Sequence, residues 1–316
     1  MTDLSVVIVN WNTRDLLMHC LESLYDTVQA IEFEVFMVDN ASSDGSPSMV
    51  RDRFSQVSLI ENPTNVGFAA ANNQAIIRSS GRYVLLLNSD AQVLGNALPQ
   101  MVRFLDAHSD AGIVGPHLVF PDGRPQTAHG PLPTLASEIQ GLLGLDRLLC
   151  RWNRRRDPTG TYAEAGYVSG ACLMVRRQAL EQVGLLDERF FMFGEEIDLC
   201  NRAHGAGWRV CHLPSAQVVH LGGGSTGRTG ARVVRLYRGK LAYFRKHHGD
   251  LAGRILLFAM CLSTALKVAV YTTARFATGG RVRADVLWRS VWKGLELEEL
   301  GNAHPAPDPS ATLPAR

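Results

Sequence analysis

The sequence lacks three short patterns that would indicate particular classes of protein. Its six cysteines show no C-x-x-C spacing, so we expect buried thiols of a cytosolic protein rather than disulfides or a zinc site. No Gly-x-Gly-x-x-Gly follows the first predicted strand, which disfavours a dinucleotide-binding dehydrogenase. The first residues carry no basic region or cleavage site, so we expect no signal peptide and a body that stays cytoplasmic.

Charge is nearly balanced over the 316 residues, with a formal net charge of +2, but it is unevenly distributed. The segment from Arg228 to Lys293 contains 14 Lys or Arg residues and only two acidic residues. A basic segment of this kind suits nucleic acid or anionic lipid, and the apolar residues between the charges favour lipid. We therefore expect an anionic membrane surface as a partner, and no nucleic acid.

Part of this segment, Ile255 to Ala274, is mostly apolar and would form a helix about 30 Å long, which is the thickness of a bilayer core. Lys267 would cost about 3 kcal/mol near the bilayer centre. Polar residues also recur every four positions, at Ser263, Lys267, Tyr271 and Arg275. This stripe favours an amphipathic helix at the membrane interface. A spanning helix and a packed core helix remain alternatives.

The first part of the chain alternates short apolar runs with amphipathic segments, which predicts strands and helices of an open α/β sheet. The predicted strands are Leu4–Val9, Phe33–Val38, Val57–Ile60 and Tyr83–Leu87. Open sheets bind ligands at the carboxyl ends of their strands. Asp39 follows the second strand, where it is placed to accept hydrogen bonds from a ribose or base. Asn88, Ser89 and Asp90 follow the fourth, and Thr13 is expected to cap the first helix.

Two later stretches also carry candidate chemical groups. Glu195, Glu196 and Asp198 begin a predicted helix directly after a phenylalanine-rich run, where partial desolvation would raise a carboxyl pKa. His220 follows two valines and precedes a run of glycines. This histidine is either a buried core residue or a ligand for an anion or a metal ion.

Seven pieces of the sequence, in order, resemble the inverting glycosyltransferases of family 2, which have the GT-A fold. More narrowly, they resemble the bacterial rhamnosyltransferases that build cell-envelope polysaccharide. The resemblance implies a mixed, mostly parallel sheet flanked by helices. The pieces are SVVIVNWN, VDNASSDGS, NPTNVGFAAANN, LLLNSDAQV, SGACLMVRR, LDERFFMFGEEIDLCNRAHGAGW and VVHLGGGS.

The resemblance implies a role for individual residues. Asp39 would hold the uracil or thymine nucleoside, beside the backbone of Val9 and Asn10. Asp90 would bind Mg²⁺ or Mn²⁺, with His220 as a second ligand or a phosphate contact. Glu196 would be the catalytic base, with Glu195 and Asp198 as alternatives. The other residues expected to contact substrate are Asn65, Gly67, Asn73, Asn88, Ser89, Gly170, Arg202 and Trp208.

The chain departs from the family pattern in two places. Asn88 replaces the first aspartate of the Asp-x-Asp metal motif, which weakens the expected metal affinity. Glu196 replaces an aspartate, which places the base one methylene further out. The Gln-x-x-Arg-Trp motif of the processive synthases is absent, so we expect one sugar to be transferred per encounter.

We expect transfer of rhamnose from dTDP-rhamnose to a polyprenyl-linked saccharide. The basic, apolar C-terminal segment motivates the lipid-linked acceptor and an enzyme that is peripheral on the inner face of the cell membrane. A UDP-sugar transferase acting with N-acetylglucosamine, galactofuranose or another hexose is one alternative. A nucleotide-binding, membrane-associated module without catalysis is the other. We expect a glycosyltransferase domain at 1–226, with a nucleotide-sugar half at 1–115 and an acceptor half at 116–226. A basic and apolar helical segment would follow at 227–300, and a disordered tail at 301–316.

Overall fold

The computed structural model describes residues 2–28, 31–143, 161–222 and 230–277. The expected tail at 301–316 lies outside these residues, as does the part of the basic segment after residue 277. The described residues form two compact units. One comprises those within Met1–Leu132 and Trp152–Tyr243, and the other those within Pro133–Arg151 and Phe244–Arg316.

The elements follow the predicted alternation. The strands are β1 (Leu4–Asn10), β2 (Phe33–Asp39), β3 (Ser58–Glu61), β4 (Tyr83–Asn88), β5 (Ala91–Val93), β6 (Ala111–Val119), β7 (His129–Gly130), β8 (Ala163–Glu164), β9 (Tyr167–Val168), β10 (Cys172–Arg176) and β11 (Arg209–His220). The helices are α1 (Arg14–Thr27), α2 (Ser46–Arg53), α3 (Phe68–Arg78), α4 (Ala97–Ala107), α5 (Leu135–Leu142), α6 (Arg177–Val183), α7 (Glu195–Gly205) and α8 (Gly230–Ala277).

The main sheet of the first unit has the strand order β3-β2-β1-β4-β10-β6-β11-β5, with β8 paired to β11. Strands β3, β2, β1 and β4 are mutually parallel, and β10 runs antiparallel between β4 and β6. The mixed, mostly parallel sheet flanked by helices that the sequence predicts is therefore confirmed. Asn10 pairs with Asp39 and Val9 with Asn88, which brings the carboxyl ends of β1, β2 and β4 to one edge.

Apolar side chains cover both faces of this sheet, as continuous apolar strands require. In β1, Val6 and Ile8 belong to the core cluster that contains Leu17 and Leu21 of α1. Val7 belongs to the opposite cluster, with residues of α3, α6 and α7. Burial on both faces fixes the register, because a slip of one residue would exchange the two faces.

Thr13 occupies the N-cap position of α1, as predicted, but its side chain does not cap the helix. Its hydroxyl instead contacts Asn10 Oδ1 at 2.6 Å and Ser89 Oγ at 2.8 Å. Thr13 therefore joins the polar ends of β1 and β4. The expected thiols are observed at Cys20, Cys172, Cys200, Cys211 and Cys261, of which the last is exposed; Cys150 lies outside the described residues.

The second unit contains α5 and the C-terminal part of α8. A capping box between Thr134 and Ser137 begins α5. Gly249, with a φ of 83°, breaks the helical geometry of α8. Ser263 is buried, and its hydroxyl donates a hydrogen bond to the Leu142 carbonyl at 2.9 Å. The predicted polar stripe therefore turns Ser263 towards α5, while the exposed side of this helix is largely apolar.

Candidate functional site

The carboxyl edge of the sheet carries a closed hydrogen-bond network. The Asn10 side-chain amide donates to Asp39 Oδ1 at 3.0 Å and to Ser42 Oγ at 3.0 Å. Asp39 Oδ2 accepts from the Ser42 backbone N–H at 2.8 Å. Both Asn10 and Asp39 are buried. The network holds the loop after β2 against the end of β1, where a nucleoside is expected to bind.

An open cavity lies beside this network, with an empty volume of about 480 Å³ that includes open solvent. Five of the residues predicted to contact substrate line it, and six further residues complete its wall. The predicted residues are Val9, Asn65, Gly67, Asn88 and Ser89; the others are Trp11, Asn40, Phe68, Phe191, Met192 and Arg235.

Gly67 allows the aromatic part of this wall to form. It has a φ of 90°, and a Cβ atom there would lie only 2.7 Å from the Phe191 carbonyl oxygen. That carbonyl accepts a hydrogen bond from the Phe68 N–H at 2.6 Å. Only glycine combines this backbone conformation with so close a contact. The loop containing Phe191 is thereby fixed to the start of α3.

Asp90 and His220, the two predicted metal ligands, lie together. Strands β5 and β11 are paired, and His220 Nε2 lies 3.4 Å from Asp90 Oδ1. The Asn88 amide nitrogen is 3.3 Å from the same imidazole nitrogen. Asp90 is 4% exposed, so its carboxylate is largely shielded from water. Asn88 and Asp90 meet the distant His220 because β4 and β11 end, and β5 begins, at one place.

Gln126, which the sequence did not single out, determines which imidazole nitrogen of His220 carries the proton. Its amide nitrogen donates to the His220 carbonyl oxygen, which can only accept. Its amide oxygen must then face His220 Nδ1, at 2.9 Å, and accept a hydrogen bond from it. Nδ1 is therefore the protonated nitrogen of the neutral ring, and Nε2 presents its lone pair towards Asn88 and Asp90.

This arrangement fits a divalent ion that is bound together with a diphosphate. Within the described ranges, no group of three or more His, Cys, Asp and Glu side chains is arranged to hold an ion. Asp90 and the Nε2 atom of His220 could supply one oxygen and one nitrogen ligand. Mg²⁺ is commonly bound by one or two carboxylates together with substrate phosphates, and Mn²⁺ accepts the same ligand types.

A second group of acidic residues begins α7, after two left-handed residues. Phe193 has a φ of 73° and Gly194 a φ of 99°. Glu196 is half-buried, and its Oε2 accepts from the Gly194 N–H at 3.0 Å. Glu195 is buried, and its Oε2 has no hydrogen-bond partner among the described residues. Burial, and then the charge of Glu196, raises the pKa of Glu195 well above its usual value.

The turn at Gly170 and Ala171 connects the acidic pair with the predicted metal ligands. A Cβ atom on Gly170 would lie 3.4 Å from Glu196 Cβ, so the glutamate side chain passes directly over this glycine. The next residue, Ala171, accepts a hydrogen bond from the Asn88 N–H at 2.9 Å. Glu196 and Asn88 thus lie on neighbouring sides of one short turn. The structure brings the predicted base and the predicted metal-binding loop together.

Four other predicted site residues have partners within the fold, and none of them lines the cavity. Asp198 is fully buried and paired with Arg202 at 2.8 Å. The Asn73 side chain donates to the Leu186 carbonyl and accepts from the Leu186 N–H. Trp208 Nε1 donates to Gln182 Oε1 at 2.8 Å. Contact between these residues and substrate stays a prediction.

Comparison with known proteins identifies the family. Residues 5–184 match the sequence profile described as Glycosyl transferase family 2, which is more than half of the chain. The chain belongs to this family. A relative from Mycobacterium tuberculosis, N-acetylglucosaminyl-diphospho-decaprenol L-rhamnosyltransferase, is 32% identical over 249 residues, covering 72% of this chain and 79% of the relative. The low-salt glycan biosynthesis hexosyltransferase Agl10 of Haloferax volcanii is 25% identical, covering 69% and 67%.

Solved structures show the GT-A fold of this glycosyltransferase. A mannosyltransferase from Pyrobaculum calidifontis, in complex with GDP-Man and Mn²⁺, superposes with a TM-score of 0.59 at 18% identity, covering 96% of this chain and 87% of the other. TarS 1–349 of S. aureus in complex with UDP gives a TM-score of 0.52 at 17% identity, covering 93% and 80%. The chain is therefore a family 2 glycosyltransferase with a GT-A fold, an enzyme that transfers sugar.

Several residues at the site of this glycosyltransferase escaped the sequence predictions. Trp11 stands at the end of the first apolar run, a position that favours ligand contact. Phe191 and Met192 come just before Glu195 and Glu196 in the sequence. Their closeness to these candidate catalytic residues is the signal that could have identified them. Arg235 comes from α8, far along the chain, within the segment expected to contact lipid. Nothing in its local sequence distinguishes it from the neighbouring arginines.

Proposed function

We propose that this enzyme transfers one L-rhamnose residue from dTDP-L-rhamnose to a polyprenyl-diphosphate-linked saccharide, with inversion at the anomeric carbon, in cell-envelope glycan synthesis. The geometric observation that carries the proposal is the position of Glu196 beside the turn that also binds Asn88. This position supports a role for Glu196 as the base next to a diphosphate site. The L-rhamnosyltransferase from M. tuberculosis supports the choice of sugar and of acceptor class.

The reaction requires a base and a means of stabilising the leaving group. The acceptor hydroxyl attacks the sugar C1 from the face opposite the diphosphate and loses its proton to the carboxylate of Glu196. The bond between C1 and the diphosphate oxygen breaks, and the electron pair leaves with the nucleoside diphosphate. Asp90 and His220 would hold Mg²⁺ or Mn²⁺, which when bound supplies positive charge to the departing diphosphate.

The charge of Glu196 is the first property to test. We expect Glu196→Gln to reduce the transfer rate by about 10²–10⁴-fold, because general-base catalysis contributes that much. Donor binding should stay within about threefold of the wild type, since a neutral amide of the same shape remains. Glu181→Gln changes an exposed carboxylate on α6 and serves as the matched control. Full transfer by Glu196→Gln, with loss in Glu195→Gln or Asp198→Asn, would assign the base to another residue.

The donor is tested by calorimetric titration of the purified enzyme. dTDP-rhamnose, UDP-N-acetylglucosamine and UDP-galactofuranose are compared with and without Mn²⁺. Metal-dependent binding of the dTDP-sugar alone is the expected result. Preference for a UDP-sugar would retain the mechanism and refute the rhamnosyl assignment. Absence of binding with every donor would refute the proposed function, whereas donor binding without any transfer would favour the non-catalytic nucleotide-binding module.

A lipid-linked acceptor requires the enzyme to work at a membrane surface, and we place it peripherally on the inner face of the cell membrane. Helix α8 supports this placement. The stretch Val234–Val270 is long and apolar enough to cross a bilayer, with a mean hydropathy of 1.7, and only 22% of its most apolar window is buried. Its bulky exposed residues include Phe258 and Leu262. Such a surface suits the boundary between headgroups and acyl chains.

A further inference from the structure

Among the described residues, a single charged side chain lines the cavity beside β1 and β4. Of the eleven described residues that line it, ten are uncharged, and the remaining one is Arg235. A nucleoside diphosphate-sugar carries two negative charges on its diphosphate, and a further negative charge develops there as the sugar departs. A cavity for this ligand therefore needs positive charge.

Arg235 occupies this position because α8 approaches the loop before α7 very closely. A Cβ atom on Gly239 would overlap the Phe193 carbonyl oxygen, so only glycine permits the contact. Residues four apart lie on the same face of a helix. The close approach at Gly239 therefore also directs Arg235 to the loop, where its guanidinium lies over the Phe191 ring, 5.3 Å from the centroid.

Arg235 is half-buried. Its backbone is held in place by α8, and its side chain ends in a charged guanidinium. The contact with the Phe191 ring restricts the guanidinium, which reduces the entropy lost when it binds a ligand. Its planar donors match the oxygens of a phosphate group in pairs. The predicted metal site has Asn88 in place of a carboxylate, so there is one negative protein charge fewer to repel a diphosphate or to compete with it for an arginine.

On these grounds, and resting on the proposed function, we propose that Arg235 binds the diphosphate of the sugar nucleotide and stabilises the leaving group. When the bond between C1 and the diphosphate oxygen breaks, the nucleoside diphosphate gains one negative charge beside the guanidinium. The acceptor proton moves to Glu196, so Arg235 takes part through its charge and exchanges no proton. One residue of the basic segment would therefore bind the sugar nucleotide rather than lipid.

The test compares nucleotides that differ only in the second phosphate. Binding of dTDP, dTMP, UDP and UMP is measured by calorimetry with wild type, Arg235→Ala, Arg235→Lys and Arg238→Ala. Arg238 is an exposed arginine on the same helix and provides the matched control. We expect Arg235→Ala to weaken diphosphate binding about 10- to 100-fold, as loss of charge-assisted hydrogen bonds predicts. Monophosphate binding by Arg235→Ala should change by less than about threefold. The diphosphate affinity of Arg235→Lys should lie between those of the wild type and Arg235→Ala.

Three results would overturn this inference alone. Unchanged diphosphate binding by Arg235→Ala would show that the arginine does not contact the ligand. Equal weakening for diphosphates and monophosphates would assign it to the nucleoside or to the shape of the wall. Equal weakening by Arg238→Ala would indicate general electrostatic attraction. If the wild type binds none of the four nucleotides, the proposed function fails and this inference fails with it, whereas the first three results leave the proposed function intact.

Discussion

Arg202 offers a sharp test of how the acidic helix α7 is held in place. Its guanidinium pairs with Asp198 Oδ2 at 2.8 Å and donates to the carbonyl oxygens of Val183, Gly184 and Leu185 at 2.6, 3.1 and 2.8 Å. The side chain of Asp198 is 0% exposed and that of Arg202 is 18% exposed. One arginine therefore compensates a buried carboxylate and also binds the loop between α6 and α7.

Arg202→Met would leave the Asp198 carboxylate buried without its partner. Breaking a buried ion pair on one side costs about 3–5 kcal/mol. At roughly 2–4 °C per kcal/mol, the melting temperature should fall by roughly 6–20 °C. The double variant Asp198→Leu/Arg202→Met should lose less than the sum of the two single variants, because it removes the uncompensated charge together with its partner.

Urea and thermal unfolding of the four proteins give this double-mutant cycle. The matched control is Arg189→Met, which breaks the pair between Arg189 and Asp187, where the arginine is 69% exposed. An exposed pair of this kind contributes less than about 1 kcal/mol. A loss for Arg202→Met as small as that for Arg189→Met would refute the reasoning. A catalytic role for Asp198 would instead appear as lost transfer in Asp198→Asn at temperatures where the variant is fully folded.

Three further predictions concern the site itself. Gly239→Ala should lower the transfer rate at least about tenfold, because the new methyl group displaces Phe193 and with it the loop that leads into Glu195 and Glu196. Wild-type activity would contradict this. Gln126→Ala should weaken Mn²⁺ binding in the nucleotide complex about 10- to 100-fold, measured by electron paramagnetic resonance, since His220 loses its tautomer-fixing partner; unchanged affinity would contradict it. The raised pKa of Glu195 lets the folded state retain a proton that the unfolded chain releases near pH 4.5. Folding stability should therefore fall as the pH rises above this value, and Glu195→Gln should remove that decline.

The nucleotide-binding edge could be predicted because each of its strands is a short apolar run that ends in small polar residues. Asp39 and Asn88 are found where parallel strand order places them. The GT-A fold and the family membership, which rested on seven ordered pieces of sequence, are confirmed. Local sequence carries this information because burial on both faces of a sheet leaves few alternatives for strands such as β1 and β4.

Contacts between distant elements could not be predicted in the same way. The resemblance implied that Asn73 contacts substrate, and the structure shows its side chain hydrogen-bonded to both backbone groups of Leu186, at a separation of 113 residues. Gln126 reaches His220 across 94 residues. Neither pairing leaves a periodic signal, because it depends on how the elements pack. Gln126 was therefore missed, although His220, which it orients, was identified.

Helix α8 shows how an apolar pattern alone leaves the orientation of a helix open. The sequence indicated a polar stripe at Ser263 and Lys267, and in the structure Ser263 faces α5 within its own unit. The exposed surface of this helix carries large apolar side chains at spacings of three and four residues. They include Leu251, Ile255, Phe258, Leu262, Leu266 and Val270. This spacing forms one continuous apolar face along the helix, so its contact with lipid would be made by apolar residues rather than by the polar stripe.

The apolar face predicts how the enzyme binds vesicles. Phe258→Glu combined with Leu262→Glu should reduce binding to anionic liposomes by about 10²-fold or more, because burial of two apolar side chains in the acyl region contributes about 3–6 kcal/mol. Ile77→Glu, which changes a 72% exposed apolar residue on α3, is the matched control. Co-sedimentation measures both, and circular dichroism checks that the variants stay folded. Release of the intact wild-type chain from anionic liposomes would contradict the membrane placement, and so would equal loss in the Ile77 variant, since attachment would then not depend on α8.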